Sequence, residues 1–188
     1  IFSIGAAGSI VASSPLVALV QGVGWRWAFT LIAALHALLT AVFFLCIRDH
    51  PRHSQAVQSS PGLPELLRGL RVLFRSREYW LISVGTFFRY GIFAAIQTLW
   101  AGPYLMHGVG LSAMQAGNII LALNVAFILA GPLWGRLSDR VQRRKEVILV
   151  GLVGMGLVLA ALTLLSEGSS LVLFGLLFAA FGVSGSTG

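Results

Sequence analysis

The sequence predicts an all-α protein, a polytopic bundle of transmembrane helices, and three observations carry that prediction. Of its 188 residues, 57% are hydrophobic and only 10% are charged, against roughly 25% charged in a soluble domain. Apolar runs of about 20 residues recur along the chain, each long enough to cross the ~30 Å hydrocarbon core as a helix. The cations gather between those runs: six of the thirteen lie in 48–77, five in 136–145, and only Arg26 and Arg89 stand elsewhere. Clusters placed that way are the positive-inside signal, so the net charge of +7 implies no nucleic-acid partner. The single cysteine, Cys46, excludes an internal disulfide framework.

Residues 1–20 form a first span without charge. Gly5, Gly8 and Ala12 share one helical face, where small residues let a neighbouring backbone approach. Pro15 deletes a backbone donor and is expected to kink the helix. Gln21 to Trp27 form a turn whose Trp25 and Trp27 suit a membrane interface. A second span covers 28–47 and contains His36, read either as a proton carrier or as a neutral ring with a hydrogen-bond partner. Segment 48–77 is the long polar stretch. Its first half, Arg48 to Gly62, reads as a flexible linker. Its second half sets Leu63, Leu66, Leu67, Leu70 and Phe74 at helical spacing, with Arg68, Arg71 and Arg75 on another face. That pattern fits a short helix in the interface with its arginines toward anionic membrane lipids, or a rigid lever between two halves of a protein.

The third span runs from Tyr79 to Pro103. Arg89 falls about ten residues inside it, roughly 15 Å deep at 1.5 Å per residue, where an unpaired cation is costly. At 100° per residue Phe93, Ile96, Gln97, Trp100 and Tyr104 share its side of the helix. One reading makes this stripe the lining of a water-filled pathway, with Arg89 binding an anionic group of a small-molecule substrate or balancing a coupled proton. The other has Arg89 snorkelling or pairing structurally. A turn over Met106 to Gly110 leads to a fourth span, 112–134. There Gly117, Asn124 and Gly131 repeat at seven, which lets Asn124 hydrogen-bond across a helix contact, while Gln115 and Asn118 sit where substrate can reach them. A fifth span covers 147–165, with Gly151, Gly154 and Gly156 as packing positions. The turn Ser166 to Ser169 then leads into a sixth, where Gly175 and Gly182 read likewise.

Between the fourth and fifth spans lies a basic hairpin loop, Gly135-Arg136-Leu137-Ser138-Asp139-Arg140-Val141-Gln142-Arg143-Arg144-Lys145. Two spans separate it from 48–77, so both basic segments share one face, expected to be cytoplasmic. The turns at 104–111 and 166–169 carry no Lys or Arg, as outside turns should.

This loop resembles the signature loop of the major facilitator superfamily (Gly, any residue, a large aliphatic, a small residue, Asp, a basic residue, any residue, Gly, then basic residues). Gly135, Leu137, Ser138, Asp139, Arg140, Arg143 and Arg144 match, and Gln142 stands where the pattern has its second glycine. The resemblance implies a twelve-span fold of which this chain covers six, spans five to ten. Residues 1–47 are then the last two spans of the N-terminal half, 48–77 the central cytoplasmic linker, and 78–188 the first four spans of the C-terminal half. In the resembled family spans five, seven, eight and ten line a central cavity, which favours Arg89, Phe93, Gln97 and Trp100 of the third span, with Asn118 of the fourth, as substrate-binding residues. Gly135, Asp139, Arg140, Arg143 and Arg144 become a gate that latches the cytoplasmic side against a span beyond this sequence.

No Gly-rich phosphate loop, His/Cys metal cluster or nucleophile–base pair occurs, so neither an enzyme nor a cofactor is expected. The leading expectation is a secondary transporter of a small solute working by alternating access, in a bacterial inner membrane. A non-transporting membrane scaffold or sensor on the same bundle is the second.

Overall fold

The computed structural model describes residues 8–47, 62–165 and 169–187. Among them the order is α1 (Gly8–Val23), α2 (Trp25–Cys46), α3 (Leu63–Arg75), α4 (Arg77–Gly108), α5 (Ala113–Val141), α6 (Arg144–Thr163) and α7 (Leu171–Gly185). Helices α2, α4, α5 and α6 are long and apolar enough to cross a membrane, while α1 and α7 are shorter apolar helices within the described residues. Residues 1–7, which include Gly5 of the first-span seam, and most of the 166–169 turn lie outside the described set.

The chain divides into two compact units, 26–88 and 1–25 with 89–188. In the first, α2 is apolar on every side and buries only Ala28, as suits a helix whose solvent is lipid. Helix α3 starts with Pro64 in its first turn, the position where a missing N–H costs nothing. Glu65 at its start and Arg75 at its end both oppose the helix dipole.

The second unit contains the aromatic core. Phe174, Phe178 and Phe181 lie at helical spacing on α7 and are all buried. Phe181 stacks on Phe93 at 5.5 Å between centroids, and Phe93 stacks on Phe127 of α5 at 4.8 Å. Gly182 lets α7 lie directly on the backbone of α5 at Leu123, and Gly151 and Gly154 of α6 leave room for the side chains of Thr187 and Ser184. Gly156 and Gly175, expected to pack, face open space. On α1 the chain breaks at Ala12–Ser13, and Pro15 occupies the first turn of the second piece. Proline thus starts a helix there and does not kink one. The packing side of α1 is also different from the expected seam. Gly8 and Ala12 are exposed, whereas Ser14 and Val17 close on Gly117 of α5.

The structure differs from the sequence prediction in three further respects. Helix α4 does not stop at Pro103. It continues to Gly108 through two wide π-helical stretches, Ala95–Trp100 and Tyr104–Gly108, separated by Ala101–Pro103. Proline has no N–H to donate and its ring crowds the carbonyl four residues back, so a widened turn lets the helix continue past it. Gln115, expected within reach of substrate, has its side-chain oxygen engaged within the chain. With Ser112 it closes a reciprocal capping box at the start of α5, each side chain accepting from the other's backbone N–H.

The third difference concerns the basic segment. Helix α5 runs on to Val141 and α6 begins at Arg144, so Gly135–Val141 are helical and the expected eleven-residue loop shrinks to Gln142 and Arg143. Gln142 is the left-handed C-cap, at φ 53°, and its N–H donates to the Ser138 carbonyl at 2.9 Å. This explains the glycine in the resembled pattern at this place, because a residue with a Cβ loses about 1–2 kcal/mol in that conformation. Gln142→Gly is therefore expected to stabilise the corner by about 1 kcal/mol once glycine's larger unfolded-state entropy is subtracted. A melting temperature in detergent that stays level or falls would contradict this.

Candidate solute-binding cleft

In a membrane interior, polar side chains are costly unless they meet partners or water, so convergent amides mark a site. Asn124 on α5 is 2% exposed. Its amide nitrogen donates to the Ser9 carbonyl on α1 at 3.3 Å, and its oxygen accepts from Gln97 Nε2 on α4. One buried amide therefore ties three helices together, as the seven-residue repeat predicts for Asn124. Around this junction opens a cleft of about 490 Å³ between α1, α4 and α5, with Ser9, Ser13, Gln97, Thr98 and Asn124 as its polar lining. The Ser13 and Thr98 hydroxyls donate to carbonyls of their own helices, at Ile10 and Ala94, and keep acceptor capacity for a guest.

The stripe predicted on α4 does not stay together. Gln97 faces the cleft. Ile96, Trp100 and Tyr104 instead line a separate apolar groove of about 300 Å³ with Leu159, Leu162 and Phe178. Tyr104 donates its hydroxyl there to the Leu162 carbonyl at 3.3 Å, and Trp100 is 60% exposed. Constant rotation of 100° per residue fails where the helix widens to the i→i+5 pattern, which is where these residues lie. Phe93, expected to face the cavity, is 5% exposed and sandwiched between Phe127 and Phe181.

Asn118 sits at the α1–α5 contact, accepting from the Ser14 hydroxyl at 2.6 Å. Arg89 is half-buried, and its guanidinium donates to the Gly185 carbonyl at 3.4 Å, at the C-terminal end of α7. Among the described residues no carboxylate pairs with it. On the 32-residue α4 it lies about 18 Å from the start and about 28 Å from the end, nearer the Arg77 end than a midplane position.

At the basic corner, Arg144 approaches Asp139 at 4.0 Å across the α5–α6 break, and Arg143 pairs with Glu146 at 2.7 Å. All four side chains are well exposed, so these pairs orient the corner without stabilising it much. Trp134, one turn before Ser138, donates to the Val183 carbonyl at 2.9 Å and fixes this end of α5 against α7. The sequence reading missed Ser9, Ser13 and Ser14. Their serine pattern was the available signal, since residues 9 and 13 are four apart and face one side of a helix.

The described residues form a bundle of membrane-length helices with a cleft between α1, α4 and α5, and the comparisons give its family. Residues 82–188 match the Major Facilitator Superfamily, and the chain belongs to it. Alpha-ketoglutarate permease of Escherichia coli (strain K12) is 30% identical over 128 residues, which are 68% of this chain and 28% of that protein. The chain thus spans little more than a quarter of that relative's length. No solved structure matches it. The family is one of multi-pass membrane transporters.

Proposed function

We propose that this chain contributes part of the translocation path of a secondary transporter for a small organic anion bearing carboxylates. The solute is held in the α1–α4–α5 cleft while two halves of the transporter rock about it. The observation that carries this reading is the amide junction of Gln97, Asn124 and Ser9, which opens onto a roomy, largely apolar cleft and supplies its polar groups. Each of the Gln97 and Asn124 amide nitrogens has a second N–H beyond the one used in the junction, and these can donate to a carboxylate without bringing a fixed charge into the lining. Arg89 supplies a positive potential on the path toward the basic face. The name of the permease relative supports a carboxylate substrate class.

In this scheme Asn118 couples α1 to α5 through Ser14, so that movement of one is felt by the other. The corner of Gly135, Asp139, Arg140, Arg143 and Arg144 is the gate element, re-pairing its exposed ions as the basic side opens and closes. Phe93 holds the core that carries the cleft, and Trp100 faces away from it. Counterflow in proteoliposomes containing the full-length protein tests the reading. Vesicles loaded with unlabelled 2-oxoglutarate or a related dicarboxylate are expected to accumulate external labelled solute transiently. No exchange of any small carboxylate would overturn it.

A further inference from the structure

Helix α3 plays no part in the transport scheme. At 100° per residue its Leu63, Leu66, Leu67, Leu70, Leu73 and Phe74 fall within an arc of about 120°, and all are exposed in this structure. Arg68, Arg71 and Arg75 gather on one flank of that arc. Among the described residues no carboxylate pairs with any of them. This helix is connected to a membrane span by one residue, Ser76, whose extended backbone turns the chain between Arg75 and Arg77.

The elbow is held firmly. Trp80 Nε1 on α4 donates to the Phe74 carbonyl at 2.8 Å, and the Tyr79 N–H donates to the Ser76 hydroxyl at 3.3 Å. Phe74 meets the Tyr79 ring edge-on at 5.5 Å. Tryptophan and tyrosine at a span's first turn settle at the headgroup level, so α3 is fixed within reach of the same level. Guanidinium groups there can grip phosphate oxygens in pairs.

We propose that α3 is a lipid-binding anchor: it lies in the interface with its leucine face in the acyl boundary and Arg68, Arg71 and Arg75 on phosphates of anionic phospholipids. The charge pattern selects this occupant: Arg68, Arg71 and Arg75 recur at three and four residues on one flank of the leucine face, which matches a layer of phosphates beside an acyl boundary.

Amide hydrogen exchange over residues 63–75 tests it, using the full-length protein in nanodiscs at low salt. One set contains phosphatidylcholine alone, a second adds phosphatidylglycerol, and a third is phosphatidylcholine with inorganic phosphate in the buffer. Exchange in the second is expected to be slower than in the first by on the order of a hundredfold for three arginines, with the difference shrinking as salt is added. The third should match the first. Equal protection in all three would show that protein contacts hold α3, and protection by inorganic phosphate alone would show a free-phosphate site; either overturns the proposal. Combined Arg68→Glu, Arg71→Glu and Arg75→Glu should abolish the lipid dependence, and the unsubstituted protein decides the matter if that variant does not fold.

Discussion

Gly182→Ala is expected to cost roughly 3 kcal/mol or more of stability, at or beyond the upper end of ordinary overpacking. A Cβ on Gly182 would press into the Leu123 carbonyl and lie 3.2 Å from the Phe127 backbone nitrogen. Both are main-chain atoms of α5, so no side chain can rotate away. Helices α5 and α7 must separate, and the separation opens the core of Phe93, Leu123, Phe174, Phe178 and Phe181. Gly175 on the same helix has no heavy atom within 4 Å of its Cβ position, so Gly175→Ala should be neutral or stabilising by about 0.5–1 kcal/mol. Thermal unfolding of both variants in detergent checks the pair. Equal melting temperatures would contradict the close crossing.

Gln97→Glu is expected to produce the largest loss of transport. Glutamate is nearly isosteric with glutamine, and a turned Asn124 amide can donate to its oxygens, so the α4–α5 contact is kept while the bond from Asn124 to the Ser9 carbonyl is lost. The solute would then meet a like charge. Two such charges 4 Å apart repel by about 4 kcal/mol at an effective dielectric constant near 20. Even half of that is more than a tenfold fall in kcat/KM. Gln97→Met, which adds no charge, should lose the hydrogen bond and much less of the rate. Uptake kinetics of both variants at matched membrane expression give the comparison, and unchanged kinetics in Gln97→Glu would remove Gln97 from the path.

The membrane class was legible because it depends on sums, and neither the apolar runs nor the grouping of the cations depends on any single contact. The family resemblance was legible in Gly135, Asp139, Arg140, Arg143 and Arg144, and the match over 82–188 agrees with it. Less legible was anything that depends on helix continuity. Charge suggested a loop from 135 onward, yet Gly135–Val141 stay wound, and only Gln142 and Arg143 lie outside the helices. On α4 a fixed angular step grouped Phe93, Gln97 and Trp100. The π-helical turns around Pro103 distribute them among the core, the cleft and an outer groove. Asn124 was readable as a cross-helix hydrogen-bonding residue, but its partners Ser9 and Gln97 depend on which helices meet. No periodicity within one segment reports that.

The most direct measurement is counterflow of a labelled dicarboxylate in proteoliposomes of the full-length protein, with wild type beside Gln97→Glu. A carboxylate path through the α1–α4–α5 cleft predicts a transient overshoot for wild type and its loss in the variant at matched amounts of folded protein. An overshoot of equal size and rate in both would contradict it.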